Sequence, residues 1–462
     1  MIHSARFEAC LVLACFVVVG SSSLPAVAAA GQPVPMDWGN LDAGPFEVGF
    51  KVFNEYDYGR TFGSLFDYSG NPLRDNNARP VQVWVWYPAE AGANLPRLKL
   101  RDFVVMATRE VDFAANPEGD IEVFLRKFRV EQPREPFDEV TLAQQNAPIR
   151  SGAFPVVLYA PSLGASPVEN VVLCEHLASH GYIVASSPSM GEYVRQMIGD
   201  EIDLYSQVQD LEFLFSYIRS FPGVDMDRVG VVGFSWGGLS NVVFAMHNAK
   251  VKAVVSLDGS IGFEMFGKRP RDFILYHPDT FRAPLMLLTQ SAWRYPEIRD
   301  FSLIEHLPYS DLTIGWVHDL KHAEFSSTLP LLYGYETDDP NAPTKDVRRI
   351  LAGYHVVCQY TKTFLDAWLK ESAEAQGFLR RSPAENGIPE DVLTMTRRPA
   401  RVAPPLPDQF LEIIRTDGVA RAVRIFKETR ALNPSYMLFR PGQRNTRRPD
   451  PESRCRALRG KT

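Results

Sequence analysis

A chain of 462 residues, 45% hydrophobic and 23% charged, has the composition of a globular protein with one sizeable domain and additions. Its formal net charge of −6, with no basic stripe outside the extreme C-terminus, removes nucleic acid from the expected partners. The five cysteines lack metal-ligand spacing, so neither a metal site nor a cofactor is expected.

At the N-terminus, Arg6 supplies a weakly positive start and Leu11 to Val19 a short apolar run. Ala28, Ala29 and Ala30 before Gly31 then offer the small side chains that a signal peptidase needs. Residues 1–30 are therefore expected to be a secretory signal cleaved near Ala30, giving a secreted or periplasmic protein. The apolar run is too short to cross a bilayer of about 30 Å, and no integral membrane span is expected in the mature chain. Cys10 and Cys15 would leave with the signal, while Cys174, Cys358 and Cys455 remain.

Beyond the signal, alternation predicts two strands, over 44–54 and 80–87, as antiparallel edge strands opening a larger sheet. Residues 98–150 are mixed in charge and carry prolines at 133, 136 and 148, which predicts an inserted cap-like segment, with a simple surface excursion as the alternative. From Phe154 strand and helix alternate. Pro155 to Ala160 reads as a buried strand, and Ser166-Pro167-Val168-Glu169 as a capping box opening a helix that runs to His180. Strands are predicted at 182–186, 251–257, 284–289 and 312–317. An amphipathic helix is marked by Leu204, Val208, Leu211, Phe215 and Ile218, and a long helix covers 347–370. The fold class is thus α/β, a mostly parallel central sheet with helices on both faces. The catalytic domain is expected over 31–372. Residues 373–462 are expected to form a helical extension, with helices near 410–415 and 419–429 joined at Gly418 and a basic tail from Arg440.

The chemistry centres on Val229-Gly230-Val231-Val232-Gly233-Phe234-Ser235-Trp236-Gly237-Gly238, a strand running into a small-residue corner with a helical pattern after it. A serine at such a corner is held in a strained conformation with its hydroxyl raised over the sheet edge, which suits a nucleophile. It needs a base, an acid to orient the base, and donors for an oxyanion. Asp258 ends the strand that follows the elbow helix and is the candidate acid. The rival position after the next strand holds Gln290, Ser291 and Ala292, with no carboxylate until Glu297. Two histidines compete as the base, and strand position favours His318, directly after the strand 312–317, over His322. The oxyanion donors are expected to be the backbone N–H of Trp236 and one from the loop Pro161-Ser162-Leu163-Gly164.

With these residues named, the span of roughly 44–372 resembles the platelet-activating-factor acetylhydrolase and dienelactone-hydrolase-like branch of the α/β-hydrolases. The resemblance runs through Val-Val-Leu-Tyr-Ala-Pro-Ser-Leu-Gly, Leu-Ala-Ser-His-Gly-Tyr-Ile-Val-Ala, the elbow and Leu-Asp-Gly. It implies an α/β-hydrolase fold and a serine esterase acting on small-molecule or lipid esters. It also implies that Asp258 is the acid and Leu163 the second oxyanion donor, although Pro161 and Ser162 stand where the family has histidine and glycine. The family places a phenylalanine three residues after the base, which His322-Ala323-Glu324-Phe325 matches and His318 does not. It further implies that Cys174 and Cys358 lie on helices covering one face of the sheet, where free thiols are expected rather than a disulfide.

Overall fold

The computed structural model describes residues 41–63, 77–92, 95–114, 138–262, 273–292, 299–328 and 347–432. They form two compact units, one ending at Arg401 and one beginning at Val402. The expected signal at 1–30, the centre of the cap-like segment at 115–137 and the tail from Arg440 lie outside the described residues.

Strands β1 (Glu47–Phe62) and β2 (Asn77–Ala89) pair antiparallel, with Phe50 opposite Trp86. They are not at the edge of the sheet as expected. Strands β3 (Arg97–Lys99) and β4 (Val140–Gln145) continue the sheet beyond β1, with β4 parallel to β1 and β3 antiparallel to β4. An open β1 would present a row of unpaired backbone groups, and these strands cover it. Helix α1 (Leu100–Ala107) then lays Phe103 against Phe50, Trp84 and Trp86, ring centroids 5.0–6.1 Å apart. The described flanks of the expected cap are thus built into the sheet edge and its cover.

Strands β5 (Phe154–Ala160), β6 (Ile183–Ser186), β7 (Val224–Phe234), β8 (Val251–Leu257), β9 (Leu285–Gln290) and β10 (Leu312–Val317) form the parallel centre. With a last strand β11 (Leu393–Arg398), the full order is β11-β10-β9-β8-β7-β5-β6-β2-β1-β4-β3. Strands β5, β6, β8 and β9, and β7 from Val229 on, are buried along nearly their whole length, β10 is partly buried, and successive side chains go to opposite cores. Val157 and Tyr159 join helices α2 (Val171–Ser179) and α6 (Val347–Leu369), whereas Val156 and Leu158 join α3 (Glu201–Tyr217) and α4 (Trp236–His247). A short helix α5 (Ser302–Glu305) precedes β10. Cys174 and Cys358 are buried free thiols in the same core, and burial pushes the Cys358 thiol up to about 12.

The boundary expected after residue 372 falls inside the first unit. Helix α7 (Ala373–Arg380) packs on α6, and β11 (Leu393–Arg398) pairs antiparallel with β10, Leu393 against Val317 and Arg398 against Leu312. As with β1, the parallel stack ends in a strand that would otherwise leave its edge open. The second unit holds α8 (Pro407–Asp417) and α9 (Val419–Leu432), joined at Gly418 with φ 83° and packed through Phe410 and Phe426.

This topology also locates a crevice. The chain passes from β5 to β6 on one side and returns to place β7 on the other, so the loops leaving β5 and β7 diverge at their C-terminal ends. Open α/β sheets bind ligands at such a switch point.

Candidate active site

Ser235 stands at that point, between β7 and α4, with φ 53° and ψ −118°. Positive φ on a non-glycine residue is strained, and the surroundings hold it there. Its N–H donates to the Leu257 carbonyl (3.0 Å), and its own carbonyl accepts from Gly238 (3.0 Å) and Ser260 (2.8 Å). The flanking glycines are required by close packing. A Cβ on Gly233 would strike the backbone of Gly237, and one on Gly237 would strike the carbonyls of Ala160 and Pro161. The elbow therefore sits directly against the loop leaving β5.

Asp258 follows β8, also at positive φ (40°), with its side chain fully buried. Its carboxylate accepts from Thr289 Oγ1 (2.5 Å), Gln290 N (3.1 Å) and Gln290 Nε2 (2.8 Å). The fourth partner is His322 Nδ1 at 2.6 Å, and His322 Nε2 lies 2.9 Å from Ser235 Oγ. With Nδ1 carrying the proton toward Asp258, Nε2 is left as the acceptor for the serine hydroxyl. Thr289 and Gln290 are site residues that sequence reasoning passed over, since the end of β9 was searched only for a carboxylate.

The two histidines separate clearly. His318 is exposed, its Nε2 lies 3.1 Å from Thr394 Oγ1, and its N–H donates to the Val392 carbonyl beside the edge strand β11. His322 opens a 3-10 turn, His322–Phe325, that brings its ring 5.0 Å from that of Phe234. Phe325, three residues on, is completely buried and its carbonyl accepts from Asn170 Nδ2 (3.3 Å), so it anchors the turn. That burial gives the His-x-x-Phe spacing a physical reason, while strand position pointed to the histidine that β11 holds.

In the loop after β5, Ser162 N–H donates to Glu169 Oε1 (2.8 Å), Gly164 N–H to Met197 Sδ (3.2 Å) and Ala165 N–H to the Ser162 carbonyl (3.0 Å). Leu163 N–H has no acceptor among the described residues, and neither does Trp236 N–H at the first position of α4. The expected capping box is not formed. Residues 167–170 are a 3-10 turn, the Ser166 hydroxyl makes no cap, and the Glu169 carboxylate turns away from Ser166 to the loop. Glu169 also accepts from Ser162 Oγ (2.6 Å) and Tyr159 OH (2.8 Å), which together outcompete a single backbone N–H. Burial raises its carboxyl to about 7, against the opposing pull of those donors and of His322. On the outer side, Arg195 donates to the carbonyls of Gly164 and Ser189 (both 3.0 Å) and pairs with Glu110 (2.7 Å). Gln207 of α3 joins the Pro161 carbonyl (2.9 Å) to Ser189 and, through its oxygen, to Ser240 of α4.

Among the described residues no cluster of His, Cys, Asp and Glu has the makings of a metal site, and no helix is long and apolar enough to cross a membrane.

Comparison with known proteins finds similarity over parts of the chain. Residues 118–289 match the chlorophyllase family model, a span that takes in Leu163, Ser235, Trp236 and Asp258 and stops short of His322. A Methylorubrum extorquens protein assigned as a carboxymethylenebutenolidase is 25% identical over 167 residues, covering 34% of this chain and 57% of that one. A chlorophyllase type 0 of Chenopodium album is 24% identical over 152 residues, covering 30% of this chain and 44% of that one. The chain thus spans about half the length of these curated relatives. Among solved structures, ferulic acid esterase from Streptomyces cinnamoneus superposes with a TM-score of 0.52 at 20% identity, over 78% of this chain and 98% of that one, a likeness of fold. The sheet, the elbow at its switch point and this structural likeness lead to one assignment of fold: the chain has the α/β-hydrolase fold.

Proposed function

We propose that this protein is an exported serine hydrolase that cleaves carboxylic esters through an acyl-enzyme intermediate. The observation that carries the reading is the unbroken hydrogen-bonded chain from Ser235 Oγ through His322 to Asp258, at 2.9 and 2.6 Å. Ser235 attacks the ester carbonyl while His322 takes its proton, and Asp258 holds the imidazole in the tautomer with Nδ1 protonated. The oxyanion of the tetrahedral intermediate receives the N–H groups of Leu163 and Trp236. His322 then protonates the leaving alcohol. Water, deprotonated by the same histidine, releases the acid from Ser235.

A fluorophosphonate probe is expected to label the wild-type protein and not Ser235→Ala. Folded wild-type protein that fails to label would overturn the reading in favour of an inactive hydrolase-fold binding protein. The triad does not choose the leaving group, so turnover of activated esters against peptide amides separates an esterase from a peptidase or amidase, with esters expected to be turned over faster. Esters of the kinds named by the relatives, chlorophyll and carboxymethylenebutenolide, belong in that panel. Export is tested by N-terminal sequencing of the mature protein, expected to begin at Gly31.

A further inference from the structure

Resting on the hydrolase reading, we propose that Glu169 is the positioning residue of the oxyanion hole: it fixes the backbone of Ser162, and thereby the direction of the Leu163 N–H. The proposal starts from where the carboxylate spends its bonds. All three of its side-chain donors, Tyr159 OH, Ser162 N–H and Ser162 Oγ, come from the end of β5 and the loop that carries Leu163. They lie on both sides of Ala160-Pro161, the stretch packed against Gly237 of the elbow. A carboxyl group buried to 2% exposure is costly unless its lone pairs are occupied, and here they are occupied by the end of β5 and the loop that follows it.

The peptide geometry turns this into control of one N–H. The Ser162 carbonyl and the Leu163 N–H belong to the same planar trans peptide and point in opposite directions. Glu169 holds Ser162 at its nitrogen and its side chain, and Ala165 N–H holds the carbonyl (3.0 Å). With three of its polar groups fixed, Ser162 leaves its peptide plane no freedom to turn, and the Leu163 N–H projects away from the Ala165 bond. Glu169 is itself fixed from the histidine side, since its backbone carbonyl accepts from Thr328 N–H (3.0 Å), six residues after His322. One residue thus ties the oxyanion loop to the segment that delivers the base.

The test compares a trifluoromethyl ketone, which forms a tetrahedral oxyanion adduct on Ser235, with the matching methyl ketone, which binds without needing the hole. Their inhibition constants are measured for wild type, Glu169→Leu, Glu169→Gln, Ser162→Ala and Tyr159→Phe, with thermal melting as the folding control. Removing one oxyanion donor outright costs on the order of 10^2 to 10^3 in rate. A misdirected donor in Glu169→Leu is therefore expected to reduce the preference for the trifluoromethyl ketone by about 30-fold or more, with methyl ketone binding within about threefold of wild type. Glu169→Gln is expected to restore most of it, because the amide oxygen keeps two donors and Ser162 Oγ turns to accept from the amide NH2. Folded Glu169→Leu with wild-type preference overturns the proposal and leaves the hydrolase reading standing. If that variant does not fold, unchanged preference in both Ser162→Ala and Tyr159→Phe does the same. Wild-type protein that shows no preference and no fluorophosphonate labelling overturns the hydrolase reading and this proposal with it.

Discussion

Replacing Asp258 by Asn tests the candidate site at its most constrained point, because all four polar contacts of this carboxylate come from groups that present a proton to it. Thr289 Oγ1 and Gln290 N face Oδ1, while Gln290 Nε2 and His322 Nδ1 face Oδ2. An asparagine must place its NH2 on one side or the other. Toward Oδ1 it meets the Gln290 backbone N–H, which has no way to turn and accept, and an unmade buried bond costs about 1–3 kcal/mol. Toward Oδ2 it meets the Gln290 side-chain amide, which can turn over to present its oxygen, and His322, whose ring can change tautomer to accept at Nδ1. That leaves a proton on Nε2, aimed at Ser235 Oγ, and the base is lost. The second arrangement keeps more hydrogen bonds, so it is expected to prevail. The wrong tautomer of a triad histidine lowers kcat by about 10^4-fold, equivalent to about 5 kcal/mol in the barrier at 1.36 kcal/mol per factor of ten. The assay is steady-state hydrolysis of p-nitrophenyl acetate with the folded fraction checked by thermal melting. KM is expected to stay near wild type, since Asp258 is buried behind the histidine. A folded Asp258→Asn protein that keeps more than a tenth of wild-type kcat would refute the role of Asp258 in orienting His322.

Further expectations follow from other contacts. Ester turnover in His318→Ala should stay within about twofold of wild type, whereas His322→Ala should lose about 10^3-fold or more, as general-base loss in such triads does; the reverse pattern would make His318 the base. Gly237→Ala drives a methyl group into the carbonyls of Ala160 and Pro161, so the oxyanion loop must shift. A displacement of about 1 Å at a reacting centre costs about 10^2-fold in rate, measured with the same ester. Arg79 is fully buried, pairs with Asp210 and donates to the carbonyls of Met190, Gly191 and Glu192. Arg79→Met is expected to cost about 3 kcal/mol in urea unfolding, the low end for breaking a buried pair, because Arg60 still neutralises Asp210. Glu175, buried in α2 and accepting from Leu142 and Ala143 N–H, is raised by burial from 4.5 to about 7. Its native form holds a proton that the unfolded chain has released between those values, so its contribution to stability is present below pH 4.5 and falls as pH rises to about 7. Urea unfolding at pH 5 and pH 8 should show a smaller loss of stability between those pH values in Glu175→Gln than in wild type.

How much of the fold was legible depended on how deeply each strand is buried. The central strands are buried along most of their length and must be apolar there, so they stand out as runs like Pro155 to Ala160 and Val251 to Leu257. The strands that close the sheet give no such signal. β3 has three residues, β4 reads Val-Thr-Leu-Ala-Gln-Gln, and β11 reads Leu-Thr-Met-Thr-Arg-Arg. Edge strands are kept short and polar because an apolar edge invites pairing with other chains, and the property that protects them also hides them. β11 lies past the boundary expected at 372, and β3 and β4 flank the segment expected as a cap over 98–150, so neither region carried an apolar run that would have marked its strands.

The site divides along the same line between local and distant causes. Ser235 was legible because its strain is relieved by neighbours two residues away, Gly233 and Gly237, so the elbow is written in a few consecutive residues. His322 was legible only through the family spacing to Phe325 and not from strand position, because what selects it over His318 is the burial of Phe325 and the capture of His318 by Thr394, 76 residues farther along. Glu169 shows why a local motif fails in a buried place. The spacing Ser166-x-x-Glu169 satisfies a capping box, yet capping is worth about 0.5–2 kcal/mol, whereas leaving a buried carboxylate short of partners costs more. Once the fold carried Glu169 into the interior beside Tyr159 and Ser162, three donors were within reach and the helix start went uncapped by Ser166. For a buried acidic residue the useful question is therefore which donors the fold brings near it; only for an exposed one does its spacing to a capping serine settle the answer.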